Sequence, residues 1–251
     1  MKGLAFLMKE IKEILKTHKI FILPAVFLFF AFSSPLTAKY INEILKSIGG
    51  VDITLPEPTY LDSYAQFFKN FNSICMIVLI LSFMGTVVDE KVKGSVILVL
   101  TKHVSRMQFV TSKFIAAVVF FTVSYALSAL ACIYYTYLLF PKFYNENLWL
   151  SIVLFWIYGV FVISITVFSS TISKSHMMAA IFGFIGYIAA PLITYIPVIG
   201  RFTPGQLESL SMDILTGVKT VGDTVGPVIV TLLVIMLFLT GSVMVFRKQE
   251  V

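Results

Sequence analysis

The residues with the greatest capacity for chemistry lie between two apolar runs, in residues 88–114 of this 251-residue chain. In order, they are Glu90, Gly94, Ser95, Arg106 and Lys113. Carboxylate, guanidinium and ammonium groups form ion pairs with one another or with a partner protein. Between them, residues 96–100 form an apolar run too short to span a bilayer, so it is buried either against lipid or in a partner's groove. A compact apolar face with a charged rim is typical of helix-in-groove docking.

Catalytic and metal-binding patterns find little support elsewhere in the chain. The histidines His18, His103 and His176 are far apart in sequence, whereas metal ligands usually cluster. The cysteines Cys75 and Cys132 lie in apolar runs without disulfide or metal spacing. No G-x-x-x-x-G-K-[ST] phosphate-binding loop occurs, so ATP would have to be bound by another protein. We therefore expect no catalytic, cofactor-binding or metal-binding residue here.

The composition is that of a membrane protein. The chain is 58% hydrophobic and only 13% charged, about half the charge of a soluble domain. Basic residues flank apolar runs without interleaved aromatics, so no nucleic-acid partner is expected. The sequence predicts one all-α membrane domain, residues 1–251, with six runs of spanning length. They are residues 20–38, 71–88, 114–140, 148–172, 177–196 and 225–246.

Residues 1–19 and the charge distribution predict the topology. Apolar residues repeat at three-to-four spacing in 1–19 with lysines on the other faces, which indicates an amphipathic helix on an anionic membrane surface. Six spans put both termini on one side. That side holds 13 of the 19 basic residues, so we expect cytoplasmic termini in the cell membrane. No charged residue lies near the middle of a span, which argues against proton-driven transport.

Two connections on the other side are longer than turns. The connection 39–70 is expected to include a short amphipathic piece around residues 40–48. In the connection 198–224, Gln206–Leu215 is predicted to form a short helix with Leu207, Leu210 and Ile214 on one side. This helix either dips into the outer leaflet, where neighbouring helices satisfy its backbone, or belongs to an exposed ordered loop.

The charged loop resembles the cytoplasmic loop of ABC-2-type permeases. The usual form there is E-x-x-x-G-T, a leucine-rich stretch, P-x-S/T-R and a lysine that opens the third span. Here Ser95 replaces the threonine and Val104 replaces the proline, while Ser105-Arg106 and Lys113 keep the pattern. Six spans and an amphipathic amino-terminal helix also fit, so the resemblance covers the whole chain. It implies that loop 89–113 contains a coupling helix that fits a cleft on a separate ATPase subunit.

The resemblance assigns the coupling role to seven residues: Glu90, Gly94, Ser95, Leu98, Leu100, Arg106 and Lys113. We expect Glu90 to pair with Arg106, with Lys113 or with the ATPase. Gly94 permits a sharp change of direction, and Ser95 can cap the helix that follows. Leu98 and Leu100 supply the buried contact. The simpler alternative is that the three charged residues only mark the lipid headgroup boundary.

The function implied by the resemblance is that of a permease subunit. A second copy or a related chain completes the membrane part, and two ABC-type ATPase subunits bind ATP and Mg. The uncharged spans favour export of an amphiphilic or hydrophobic cargo, such as a peptide, antibiotic or lipid-linked molecule. The alternatives are an ATP-independent secondary transporter or channel, a membrane enzyme, and an immunity protein that binds a toxin.

Overall fold

In the computed structural model, the described residues (2–17, 19–49, 56–94, 105–197 and 199–249) form helices and turns without a strand. The helices are α1 (Lys2–Lys16), α2 (Lys19–Lys39), α3 (Ile41–Gly49), α4 (Tyr60–Asn70), α5 (Met76–Phe83), α6 (Val88–Val92), α7 (Arg106–Leu139), α8 (Leu148–Ile172), α9 (His176–Ile193), α10 (Gln206–Leu215) and α11 (Val225–Lys248). A π-helical turn, Phe71–Cys75, joins α4 to α5. The predicted all-α fold is confirmed.

Six segments of the described residues are long and apolar enough to span a membrane. They are Ile20–Lys39, Tyr60–Val92, Arg106–Leu139, Leu148–Ile172, His176–Ile193 and Val221–Lys248. This confirms the predicted six spans. Because six is even, both chain ends lie on one side, called here the terminal side; the other is the opposite side. The position of α1 on a lipid surface stays a prediction.

The second and third spanning segments are longer than the predicted runs 71–88 and 114–140. The third has 34 residues, or about 50 Å of helix against a hydrocarbon core of about 30 Å. Hydropathy missed α4 because Asp62, Gln66 and Lys69 alternate there with the buried Tyr64 and Phe67. The Asp62 carboxylate accepts the Thr59 N–H at 2.7 Å and thereby fixes the start of α4.

An aromatic core holds α7 and α8 together in the middle of the bundle. The Tyr125 ring stacks on Phe121 and Phe155, with centroids 5.6 and 6.0 Å away, and meets Phe71 edge-on at 5.7 Å. All four rings are buried. Gly159 of α8 makes this packing possible, because a Cβ there would lie 2.2 Å from Phe121 Cζ. The helices therefore approach closely where a small residue faces a large ring.

Helix α10 packs into the opposite-side end of the bundle. Leu207, Leu210 and Ile214 are fully buried, and α10 contacts α8. The carbonyls of Ile214 and Leu215 at its end accept side-chain amide N–H groups from Asn147 and Asn145, respectively. These bonds satisfy groups that water would otherwise have to satisfy. The alternative of an exposed loop is wrong for this helix.

Candidate coupling site

The charged loop is described on both of its flanks. We call residues 87–94 and 105–113 the loop stems. Of the seven predicted coupling residues, Glu90, Gly94, Arg106 and Lys113 lie in these stems. Ser95, Leu98 and Leu100 lie outside the described residues, so their roles stay predictions.

Gly94 ends the first stem in a left-handed conformation. Its φ is +65°, and its N–H donates to the Lys91 carbonyl at 3.2 Å. Among the described residues, no atom lies within 4 Å of a Cβ built at this position. Backbone conformation, not crowding, is therefore what favours glycine here, as at many helix ends.

The second stem begins with a capping box. The Ser105 hydroxyl accepts the Gln108 N–H at 3.1 Å, and the Gln108 side-chain oxygen accepts the Ser105 N–H at 3.1 Å. The pattern S-x-x-Q before an apolar run could have predicted this helix start, eight residues before 114. α7 is thus fixed at its first turn, on the far side of the loop from Gly94.

A buried ion cluster joins the two stems to α1. The Lys113 ammonium lies 2.8 Å from a carboxylate oxygen of Glu90 and 2.8 Å from one of Glu10. The Lys113 side chain is only 4% exposed, and both glutamates are buried. The prediction allowed Glu90 to pair with Arg106, with Lys113 or with the ATPase, and within this chain Glu90 pairs with Lys113. Glu10, from the amino-terminal helix, was not foreseen.

Lys9 and Glu13 extend the cluster towards solvent. Lys9 Nζ lies 2.8 Å from Glu13, 3.0 Å from Glu10 and 3.4 Å from Glu90. Partial burial would by itself lower the pKa of Lys9, but hydrogen bonds to Glu13 and Glu10 outweigh it and hold the pKa above its ordinary value. Burial by itself would raise the pKa of Glu13, but the hydrogen bond from Lys9 outweighs this effect and lowers the pKa. Both groups therefore stay charged near neutral pH.

The three carboxylates of this cluster come within 4.8 Å of one another, a spacing at which acidic groups can hold a cation. Two lysine ammonium groups already lie among them. With three carboxylates and two ammonium groups, the arrangement is a structural ion cluster more than an open metal site. α1 adds an aromatic contact one turn away, where the Phe6 ring lies 5.8 Å from that of Phe109.

Arg106 holds the end of the last helix. Its Nη1 donates to the carbonyl oxygens of Phe246, Arg247 and Gln249, at 2.9, 2.6 and 3.1 Å. A guanidinium at a helix C-terminus satisfies carbonyls that lack helical partners and complements the helix dipole. Of the alternatives for Glu90, Arg106 is therefore not the partner found, because its guanidinium faces α11.

The first stem is tied to the turn between α8 and α9. Lys91 Nζ donates to the Thr171 and Ser173 carbonyls, at 2.6 and 3.0 Å. The Ser170 hydroxyl accepts the N–H groups of residues 87 and 88, at 3.0 and 3.1 Å. Asp89 pairs with His176 at the start of α9. The sequence analysis treated His176 only as one of three histidines far apart in the chain, and it did not predict these contacts.

A second polar cluster lies on the opposite side. Asn72, in the π-helical turn, donates its side-chain amide to the Glu208 carboxylate, and the Tyr187 hydroxyl donates to the Asn72 carbonyl. Burial raises the pKa of Glu208 above its ordinary value. π-helical turns often occur at functional sites. Glu208 is an ionisable group packed against the bundle that the sequence placed in a connecting loop.

The stems therefore contact the terminal-side ends of α1, α8, α9 and α11. Such an arrangement, with six helices of spanning length, defines a polytopic helical membrane protein whose charged loop is tied to several helix ends. A comparison with protein-family models identifies the family. The family model for "ABC-2 family transporter protein" matches residues 4–251. The chain is also similar to the uncharacterized transmembrane protein YxlG of Bacillus subtilis (strain 168), with 27% identity over 253 residues and 98% coverage of each chain.

The chain belongs to the ABC-2 transporter family. The resemblance inferred from the loop residues is thereby confirmed. The chain is a multi-pass membrane protein and a membrane transport component of that family.

Proposed function

We propose that this chain is the permease subunit of an ATP-driven exporter, coupled through residues 89–113 to a separate ABC-type ATPase. The observation that carries the proposal is the buried Glu90–Lys113–Glu10 cluster. It joins both flanks of the loop to each other and to α1. A force applied to the loop would reach several helix ends through these contacts.

Transmission in this proposal is mechanical. The ATPase binds ATP and Mg and closes, and its cleft displaces the coupling helix that contains Leu98 and Leu100. Buried ion pairs have discrete arrangements, because separating them leaves charges without partners. The stems would then move as one unit. Arg106 would carry the movement to α11, and Lys91 would carry it to α8.

The proposed assembly contains two membrane chains and two ATPase subunits. A second copy or a related chain forms the other half of the transport path. The termini lie in the cytoplasm of a cell whose plasma membrane holds the complex, since the terminal side carries 13 of the 19 basic residues. The cargo is an amphiphilic or hydrophobic molecule, such as a peptide, antibiotic or lipid-linked compound, because the spans offer few charges to bind a polar one.

Co-purification with the proposed ABC-type ATPase partner tests the coupling-loop assignment. Leu98→Asp places a charge on the proposed docking face, and Gly94→Trp strains the turn before it. Truncating a central interface residue commonly costs about 2 kcal/mol, or about thirtyfold in affinity. We expect both variants to lose the ATPase at a concentration that retains it on the unmodified chain.

The matched control is Lys219→Gln, which removes the partner of Asp213, 3.1 Å away on the opposite side. This variant should keep the ATPase. Undiminished association of both loop variants with the ATPase would contradict the coupling-helix assignment. Protection of cells from a toxin with the ATPase inactivated would favour an immunity protein instead.

A further inference from the structure

A cleft opens sideways between α9 and α11, with α8 as its floor. Its volume is about 580 Å³, and almost all of its lining atoms are apolar. The lining includes Ile165 of α8, Ile193 of α9 and three residues of α11, Val230, Val234 and Phe238. From Val230 to Phe238 the cleft follows α11 for about 12 Å. Such a shape accommodates a hydrocarbon chain that lies along the helix.

A polar cavity adjoins the cleft at its opposite-side end. Its volume is about 480 Å³, and the ring of Phe202 lines both spaces. Three charged residues line the polar cavity: Arg201, Lys219 and Asp223. Apolar and polar compartments that share a wall suit a ligand with both kinds of surface.

Among the charged residues that line the polar cavity, one cation is available to bind a ligand. Lys219 is paired with Asp213 at 3.1 Å. The Asp223 carboxylate accepts the N–H and the hydroxyl of Thr220, both at 2.9 Å. Arg201 is exposed and, within the described part of the chain, makes no hydrogen bond or ion pair. An anionic group can therefore bind to its guanidinium without displacing a protein partner.

We propose that the two cavities together bind one glycerophospholipid from the leaflet on the opposite side. One acyl chain lies in the α9–α11 cleft, and the phosphate lies against Arg201. Guanidinium groups bind phosphate through two parallel hydrogen bonds. Phe202 lies where the chain meets the headgroup, a depth at which aromatic rings are enriched in membrane proteins. A single lipid fills both cavities, whereas an apolar helix of a second copy would leave the guanidinium unpaired. This inference does not depend on the proposed coupling to an ATPase.

The test measures lipid retention by the purified full chain with native mass spectrometry. Phosphatidylglycerol and a diacylglycerol with the same acyl chains are added separately. We expect phosphatidylglycerol to be retained more strongly, and Arg201→Gln to weaken its binding by about tenfold, as loss of a hydrogen bond to a charged group does. Arg201→Gln should leave diacylglycerol unchanged. Lys142→Gln, which removes another exposed opposite-side cation, should change neither lipid.

A second pair of variants tests the cleft. Ala189 lines it, and Ala189→Phe should fill it and weaken both lipids. Ile188→Phe, on the exposed face of the same helix, should weaken neither. Equal phosphatidylglycerol retention by Arg201→Gln and the unmodified chain would overturn the proposal. So would equal retention of the two lipids. Dissociation of a dimer by Ala189→Phe with lipid retention intact would assign the cleft to a second copy.

Discussion

Removing the Lys113 ammonium should destabilise the protein strongly. In Lys113→Met, the carboxylates of Glu10 and Glu90, each 2.8 Å from the ammonium, keep their burial but lose the buried cation that they share. The half-exposed Lys9, 3.0 Å from Glu10 and 3.4 Å from Glu90, compensates them only in part. Breaking a buried ion pair by removing one partner costs about 3–5 kcal/mol. Lys113 is 4% exposed, so solvent screens little of this effect. For a chain of this size, the loss corresponds to a fall in Tm of about 6–20 °C.

The assay is thermal unfolding of the detergent-purified chain, followed by loss of the monodisperse elution peak. Lys12→Met is the matched control, because Lys12 is an exposed lysine of α1, and an exposed substitution changes stability by about 0.5 kcal/mol or less. A triple variant, Lys113→Met with Glu10→Gln and Glu90→Gln, should recover most of the loss, since no buried charge remains. Equal Tm values for Lys113→Met and Lys12→Met would refute the buried cluster.

Three further predictions address other contacts. Arg106→Gln should raise hydrogen–deuterium exchange of residues 244–249 by about tenfold, because bonds from the charged group to three carbonyls are lost, whereas Arg106→Lys should raise it less. Gly94→Ala should cost about 1 kcal/mol, or about 2–4 °C in Tm, because φ is +65°, and an equal loss in Gly222→Ala would contradict this reason. The pKa of Glu208 is higher in the folded protein than its unfolded value of 4.5. Its protonated carboxyl therefore stabilises the fold below pH 4.5, and this stabilisation is lost as pH rises through the pKa of the folded protein. The Tm of the unmodified chain should therefore fall relative to that of Glu208→Gln as pH increases from 4 to 8, and parallel pH profiles would contradict the burial of this carboxylate.

Hydropathy was sufficient to predict the six spans because lipid contact demands long apolar helices. It was insufficient for their ends. Tyr64 and Phe67 are buried in α4, but polar neighbours lower the local hydropathy, so the second span was predicted to start at residue 71. The burial of an aromatic face in an amphipathic segment can be predicted only when the helix that packs against it is known.

The site shows the same division between local and distant contacts. Glu90 and Lys113 flank one loop, so their pairing could be predicted from charge and position. Glu10 lies 103 residues from Lys113, and the sequence does not record that α1 packs on α7. Arg106 was one of three possible partners of Glu90, but it binds backbone carbonyls of α11. Contacts to backbone carbonyls cannot be predicted from residue types, because every residue carries a carbonyl. The residues 95–104 keep their predicted role from the family pattern alone.

Movement of the spans in response to ATP tests the central claim most directly. Tyr137 is exposed near the opposite-side end of α7, so Tyr137→Cys provides a labelling site for a membrane-impermeant maleimide. In vesicles that hold the permease and its ATPase, adding ATP on the terminal side should change the labelling rate. Leu98→Asp should abolish this change and leave the rate without ATP as it was. An ATP-dependent change that persists in Leu98→Asp, or no change with the loop intact, would contradict coupling through this loop.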